Sequence, residues 1–316
     1  MVAGPVASRK GDGEFCCGGI FVKRVLFVLV LLVLVSSTLT LGITFVDDLG
    51  RTVTLPESIQ RVVVGAPALT DYLVHLGVET RIVGVTDWDP FPAEKVGQPT
   101  PMNVEKIVSL QPDLVLITGG FQAPEAARLE AFDVPVLVCN PNSIQDILRT
   151  TRVLGQVFGV PAKASELVAQ MESTIDNWAK QKAYTISLDE RKTIFYAMII
   201  GNEVKDLWTC GQGSFLNEVF SYAGGTNITG SYAGPNGWLP VSVEFIARQN
   251  PDVILVPYYY EGGEQAARET ILSFEPWKDV QAVKDKAIFG IDGNKADLPS
   301  ISLLDLIPDI FQLLYP

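Results

Sequence analysis

At 316 residues the chain exceeds the usual size of one hydrophobic core, so two α/β lobes are favoured over a single domain. Its 47% hydrophobic and 19% charged residues describe a globular protein, with part of the apolar excess in one N-terminal run. A net charge of -12 excludes nucleic acid and anionic membrane surfaces as main partners, because both require basic patches.

Lys23 and Arg24 precede Val25 to Val35, eleven consecutive apolar residues, and the polar stretch Ser36 to Thr40 follows. This order of charge, apolar run and small residues predicts a secretory signal peptide within residues 1–42 and a periplasmic location. The alternative is an uncleaved anchor, since no charge occurs between Val25 and Asp47. No Cys follows the apolar run before Cys139, which predicts that the protein is not a lipoprotein. Residues 1–21 resemble no part of a signal peptide, so translation from Val22 is a second hypothesis; a precursor whose N-terminal sequence begins at Met1 rules it out. Past that region only Cys139 and Cys210 remain, too few for a disulfide framework.

Strands are predicted near 61–64, 82–85 and 136–139, with helices near 68–76 and 124–132, and these make an N-terminal lobe over 43–142. A helical linker is expected over 143–182, its second half beginning at Pro161 and placing Leu167, Met171, Ile175 and Trp178 on one face. The C-terminal lobe, 183–316, carries predicted strands near 193–198 and 287–291 and helices near 214–222 and 264–272. An amphipathic helix over 299–314 closes it. The most informative feature is a repeat. Residues 104–117, VEKIVSLQPDLVLI, align without gaps to 243–256, VEFIARQNPDVILV, with six of 14 positions identical and a separation of 139 residues. Each copy reads as a short helix, a Pro-Asp turn and a buried strand, because the run after Pro-Asp is aliphatic without alternation. The fold class is therefore α/β: two similar parallel-sheet lobes, a long helix joining them and a ligand cleft between.

Ligands of open parallel sheets bind beyond the carboxyl ends of the strands. Those positions are rich in aromatics here, and Trp88, Phe91, Phe121, Trp208, Tyr232, Trp238, Tyr258 and Tyr260 are the candidate ligand-binding residues. For each one taken singly, packing as a small loop core is an equal alternative. Of Tyr258 to Tyr260, at most one or two can face a ligand, because an extended segment alternates its side chains. Asp87 and Asp89 suit a hard cation or, beside Pro90, a turn. Glu105 and Glu244 occupy matched places in the two repeats, each two residues after an N-cap type, Asn103 or Ser242. The helix dipole alone favours an acid there, but the symmetry also offers a paired docking site for something basic. His75 is the sole histidine and is expected on a helix surface, and neither a phosphate-binding loop nor a dinucleotide fingerprint is present. No enzyme is predicted, no protein metal site and no catalytic residue.

The segments Asp48-Leu-Gly-Arg-Thr-Val-Thr-Leu-Pro56, Ile82-Val-Gly-Val85, Asn103 to Val115, Gly213-Ser-Phe-Leu216, Ala223 to Ile228 and Gly237-Trp238 with Val241 to Glu244 resemble the periplasmic binding proteins for ferric siderophores, haem and vitamin B12. The resemblance runs from about Ile43 to the C-terminus. It implies that Glu105 and Glu244 pair with arginines of an ABC permease dimer, itself coupled to an ATPase, and that a rigid interlobe helix allows only small hinge motion. It also implies a bulky, metal-bearing ligand (ferric siderophore, cobalamin or haem) with no resident cofactor. Many binders of anionic siderophores place arginines in the cleft, and the loops here offer almost none, which favours a neutral or cationic complex. A sensor subunit and a nitrogenase-like metal-cluster enzyme are the alternatives, the latter weakened by having only Cys139 and Cys210 to hold a cluster.

Overall fold

The computed structural model describes residues 1–4, 42–199, 204 and 206–316. The predicted signal segment lies outside the described residues. The chain divides into two compact units, Met1–Leu41 and Gly42–Pro316, and the second is described here. Among the described residues no helix is long and apolar enough to cross a membrane.

A short antiparallel hairpin, β1 (Ile43–Val46) and β2 (Thr52–Leu55), precedes the first lobe. That lobe is built on a five-stranded parallel sheet of order β5-β4-β3-β6-β7, made of β3 (Val62–Val64), β4 (Ile82–Val85), β5 (Glu94–Lys95), β6 (Leu114–Ile117) and β7 (Val136–Val138). Helices α1 (Pro67–His75), α2 (Val104–Ser109) and α3 (Ala123–Glu130) connect the strands. All four residues of β6 are buried, as expected for a strand covered on both faces.

Helices α4 (Ile144–Val157) and α5 (Pro161–Ile175) then lead to the second lobe. Ser143 caps α4 by accepting from the Asp146 N–H, and Pro161 opens α5, where its missing donor costs nothing. The predicted linker helix is regular only to Ile175 and continues as a π-helical turn over Asp176–Lys180. Gly155 sets how closely α4 and α5 pack, since a Cβ there would collide with that of Ala164.

The second lobe holds a four-stranded parallel sheet of order β11-β8-β13-β14, from β8 (Thr193–Tyr196), β11 (Thr226–Asn227), β13 (Val253–Tyr258) and β14 (Ile288–Asp292). Beside it lies an antiparallel sheet of β9 (Met198–Ile199), β10 (Leu207–Cys210) and β12 (Trp238–Val241), order β12-β10-β9. The chain thus bends at Ala197 where one strand over 193–198 was expected. Helices α6 (Phe215–Tyr222), α7 (Val243–Gln249), α8 (Gly263–Leu272), α9 (Gln281–Lys284), α10 (Gly293–Ala296) and α11 (Leu306–Leu314) complete the lobe. The closing segment is a 3-10 helix over Ile301–Asp305 followed by α11, rather than one helix from Pro299.

The repeat has a physical basis in this frame. Gln111 and Asn250, at equivalent positions, both turn the chain with φ of 48°. The Asp that follows each Pro then holds a neighbouring strand: Asp113 accepts from the Gln60 and Arg61 N–H groups at 2.7 and 2.9 Å, and Asp252 from the N–H and hydroxyl of Thr193, both at 2.8 Å. Each copy is therefore a helix, a left-handed turn and a tether that fixes the register of the next strand.

Three apolar clusters form among the described residues. One covers the far face of the first sheet and one that of the second. The largest joins both lobes through the linker, packing Leu69, Tyr72 and Leu73 of α1, Leu154 of α4, Met171 of α5, Leu216 and Phe220 of α6 and Ile307 and Ile310 of α11.

Candidate functional site

A cavity of about 390 Å³ opens between the lobes. Pro67, after β3, and Trp88 to Phe91, after β4, form its first wall. Tyr259, just after β13, and Gly293, Asn294, Asp297 and Leu298, after β14, form the second, and Thr70, Asp71 and Val74 of α1 form its floor. Every wall except that helix therefore comes from the carboxyl ends of parallel strands, where both sheets leave space for a ligand.

Of the candidate aromatics, Trp88 and Phe91 line the cavity. Trp88 is 63% exposed, and its ring centroid lies 6.2 Å from that of Phe121, itself exposed, so an aromatic ledge continues out of the mouth. The other aromatics are placed elsewhere. Tyr258 and Tyr260 line a second pocket, of about 430 Å³, on the C-terminal lobe, and of the three consecutive tyrosines only Tyr259 also reaches the interlobe cavity. Trp208 lies within β10, paired with Met198 and Pro240, rather than in a loop. Trp238 packs edge-on against Tyr196 and Phe215, with centroids 6.1 and 6.0 Å away, beside the main core. Tyr232 stands edge-on to Phe245 at 5.5 Å, next to Glu244 in the chain.

Of the acids that line the site, Asp89 was marked in the sequence as a cation or turn residue, whereas Asp71 and Asp297 carried no signal. Asp297 accepts hydrogen bonds from the hydroxyls of Tyr196 at 2.7 Å and Tyr259 at 2.5 Å. Burial pushes its carboxyl up to about 6, against the pull of those two donors. The Tyr259 ring rests flat on Gly293, where any Cβ would meet its carbon atoms. Asp89 is buried; it accepts from the Thr70 hydroxyl at 2.6 Å and the Phe91 N–H at 2.9 Å, so it shapes the Trp88 loop. Asp87, by contrast, is exposed and bonded to Gln98.

Asp71 joins the lobes. It accepts from the Ser302 hydroxyl at 2.7 Å and N–H at 3.1 Å, while the neighbouring Tyr72 donates to the Pro299 carbonyl at 3.0 Å. Burial opposes ionisation of Asp71, but hydrogen bonds from His75 and Ser302 outweigh it and hold its carboxyl below the usual range. The same contact with Asp71 raises the His75 imidazole. Among the described residues that line the cavity there is no Lys, Arg or His. Among the described residues, too, no cluster of His, Cys, Asp and Glu is placed to hold a metal ion. Cys139 and Cys210 are free and buried, and burial pushes both thiols well up.

Glu105 and Glu244 are both exposed in the first turns of α2 and α7. Their caps are matched, Asn103 Oδ1 accepting from the Lys106 N–H at 3.0 Å and Ser242 Oγ from the Phe245 N–H at 3.1 Å.

A two-lobed parallel α/β frame with a cleft at the strand ends is the geometry of a binding protein, and the family model described as periplasmic binding protein matches residues 62–294. The chain belongs to the periplasmic binding protein family. An uncharacterized ABC transporter substrate-binding lipoprotein of Bacillus subtilis is 28% identical over 290 residues, covering 89% of this chain and 88% of its own length. The vitamin B12-binding protein of Vibrio parahaemolyticus is 23% identical over 263 residues, covering 81% and 90%. Among solved structures, the molybdate-bound periplasmic binding protein MolA of Haemophilus influenzae superimposes with a TM-score of 0.73 at 23% identity, covering 85% of this chain and 93% of its own. These likenesses agree on the fold. These proteins are named for different ligands, so the binding-protein frame by itself does not specify the cargo.

Proposed function

We propose that the protein is the substrate-binding component of an ABC importer and carries a bulky, neutral or cationic metal chelate, of the corrinoid or ferric hydroxamate kind, to a membrane permease. The observation that carries this reading is the interlobe cavity: aromatic on one wall, with an acid on each wall and one on the floor, and without a basic side chain among its described lining residues. An anionic catecholate complex would meet Asp71, Asp89 and Asp297 with no basic side chain among the described lining residues to offset them, a repulsion of about 1 kcal/mol per pair at about 4 Å even at the dielectric of water. Trp88 and Phe91 present flat apolar surface suited to a macrocycle or chelate face. The metal enters with the cargo, and the protein performs no chemistry on it.

Docking would use Glu105 and Glu244, one on each lobe, against a basic residue from each half of a permease dimer that an ATPase drives. Export through the apolar segment Val25 to Val35 puts the protein outside the cytoplasmic membrane, in the periplasm. We retain the reading that it is not a lipoprotein, since no Cys lies between that segment and Cys139. The Bacillus subtilis relative is a lipoprotein by name, so labelling with a radioactive fatty acid is the check, and incorporation into the mature protein would overturn this point.

The visible spectrum of the protein as isolated, followed by tryptophan quenching with cyanocobalamin, a neutral ferric trihydroxamate, haem and a ferric catecholate, tests the cargo. Micromolar or tighter binding of either of the first two supports the reading. Tight binding of the catecholate alone refutes it.

A further inference from the structure

The polar side chains that line the cavity are Thr70, Asp71, Asp89, Tyr259, Asn294 and Asp297. Most of their protons are already committed. Thr70 donates to Asp89, Tyr259 to Asp297 and one of the two Asn294 amide protons goes to Asp292. What faces the space is therefore mainly a set of acceptors, the second Asn294 amide proton being the exception. Asp71 is occupied by Ser302 and His75, and Asp89 by Thr70 and the Phe91 N–H. Asp297 differs in exposure. Each of its oxygens receives one tyrosine proton, as each Asp89 oxygen also receives one proton, and a carboxylate offers about four acceptor sites; but Asp89 is only 2% exposed, whereas Asp297 is half-buried and keeps acceptor capacity at the cavity wall. Lys295, the cation on the same turn, is 3.2 Å from Asp305.

We propose that Asp297 is the specificity-determining acceptor of the cavity, and that it reads hydrogen-bond donors carried on the rim of the cargo. The chelate that fits is fringed with N–H groups, as a corrinoid is with its carboxamides. A ferric trihydroxamate commits its oxygens to iron and shows a protein mainly acceptors, which an acceptor-lined wall cannot satisfy. A carboxamide donates two protons and bears no charge, so it meets Asp297 without displacing Tyr196 or Tyr259. The inference rests on the import reading above and narrows its cargo to one class.

Acidity gives an independent handle. The groups facing Asp297 are Tyr196 of β8 and Tyr259 after β13, with the buried Cys210 thiol of β10 near them; Lys295 on its own turn pairs with Asp305, and Asp71 on the floor and Asp89 on the first wall line the same cavity. Only Asp297 is lifted to about 6 by burial. Donors from a ligand favour its ionised form, so affinity should be full above that value and fall as the pH drops through it.

The test is titration calorimetry with cyanocobalamin, dicyanocobyrinic acid, in which carboxylates replace the carboxamides, and a neutral ferric trihydroxamate. Wild type, Asp297→Asn and Tyr259→Phe are measured at pH 7.5 and 5.0, with thermal melts to confirm folding. Cyanocobalamin, whose own charge is constant over that range, should bind wild type tightest. It should lose about tenfold at pH 5.0, the size expected for one hydrogen bond to a charged group. Asp297→Asn should bind it about tenfold more weakly at pH 7.5 and show no pH dependence, while Tyr259→Phe keeps the dependence. Dicyanocobyrinic acid should bind poorly. Unchanged affinity in Asp297→Asn, or affinity that rises on acidification, overturns the inference. Tight binding of the trihydroxamate without cyanocobalamin also overturns it while leaving the import reading intact; binding of neither, with capture of a catecholate, overturns both.

Discussion

Removing the Asp71 carboxylate should loosen the contact between α1 and the second lobe, and the size of the effect can be worked out. Asp71→Ala deletes two charge-assisted hydrogen bonds, to the Ser302 hydroxyl and N–H, and the contact with His75 at 3.4 Å. Each such bond is worth about 1.5 kcal/mol at the weaker end, appropriate to a carboxylate that is not fully enclosed. Alanine regains up to about 0.7 kcal/mol of helix propensity at that position. The net loss is about 2 to 3 kcal/mol, or roughly 3 to 5 °C in Tm for a unit of this size.

Differential scanning calorimetry checks the loss, and Ser302→Ala with the double variant isolates the pair, whose coupling should be about 1 kcal/mol. The pH dependence has a defined sign. His75 is raised above 6.5, so its share is complete below that value and is lost as the pH rises through the folded-state pKa. Asp71 is lowered from 3.8, so its share is present above that value and is lost as the pH falls through the folded-state pKa. The clasp is therefore strongest between 3.8 and 6.5, and the wild-type advantage over Asp71→Ala should shrink by pH 8. A variant whose Tm matches wild type at pH 5.5 would refute this account of what holds the lobes together.

Three further outcomes are expected. Gly293→Ala should push the Tyr259 ring off its seat and weaken cyanocobalamin binding roughly tenfold in tryptophan quenching, with a smaller effect on Tm than Asp71→Ala. Trp277→Ala removes a fully buried indole that donates to the Val243 carbonyl at 3.0 Å and meets Phe195 and Phe274 edge-on; it should cost about 3 to 5 kcal/mol in denaturant unfolding. Glu105→Arg with Glu244→Arg should reduce cellular uptake at least about tenfold, equivalent to 1.4 kcal/mol of docking, while affinity for ligand stays unchanged.

Much of the frame was legible because its signals are local. The repeat located two strands and two short helices, and its Pro-Asp pairs turned out to be strand tethers at Asp113 and Asp252. The aliphatic runs gave buried parallel strands, and the strand-end rule led to Trp88 and Phe91. What escaped was set by tertiary context. Asp71 acquires its role from Ser302, 231 residues away, and Asp297 from Tyr196 and Tyr259, 101 and 38 residues away. Nothing in the neighbours of these acids marks them. Trp208 and Trp238 looked like loop residues because β10 and β12 are short strands of a small antiparallel sheet, with no long alternation to announce them. The tyrosine run was a question of parity: alternation separates Tyr259 from its two neighbours, but only the turn after β13 decides which set faces the other lobe.

The apolar cluster that runs from α1 through α4 and α5 to α6 and α11 has a consequence for how the molecule can come apart. A boundary drawn through the linker would strip Tyr72, Met171 and Phe220 of neighbours on one side, so neither lobe carries a finished core of its own. Loss of one half should therefore propagate to the other, giving a single cooperative melting transition. Separately expressed halves should remain associated or aggregate rather than behave as independent domains. A frame of this kind tolerates small adjustments at the cleft mouth, where Trp88 and Phe121 are exposed, far more readily than a wide opening that would break the shared core.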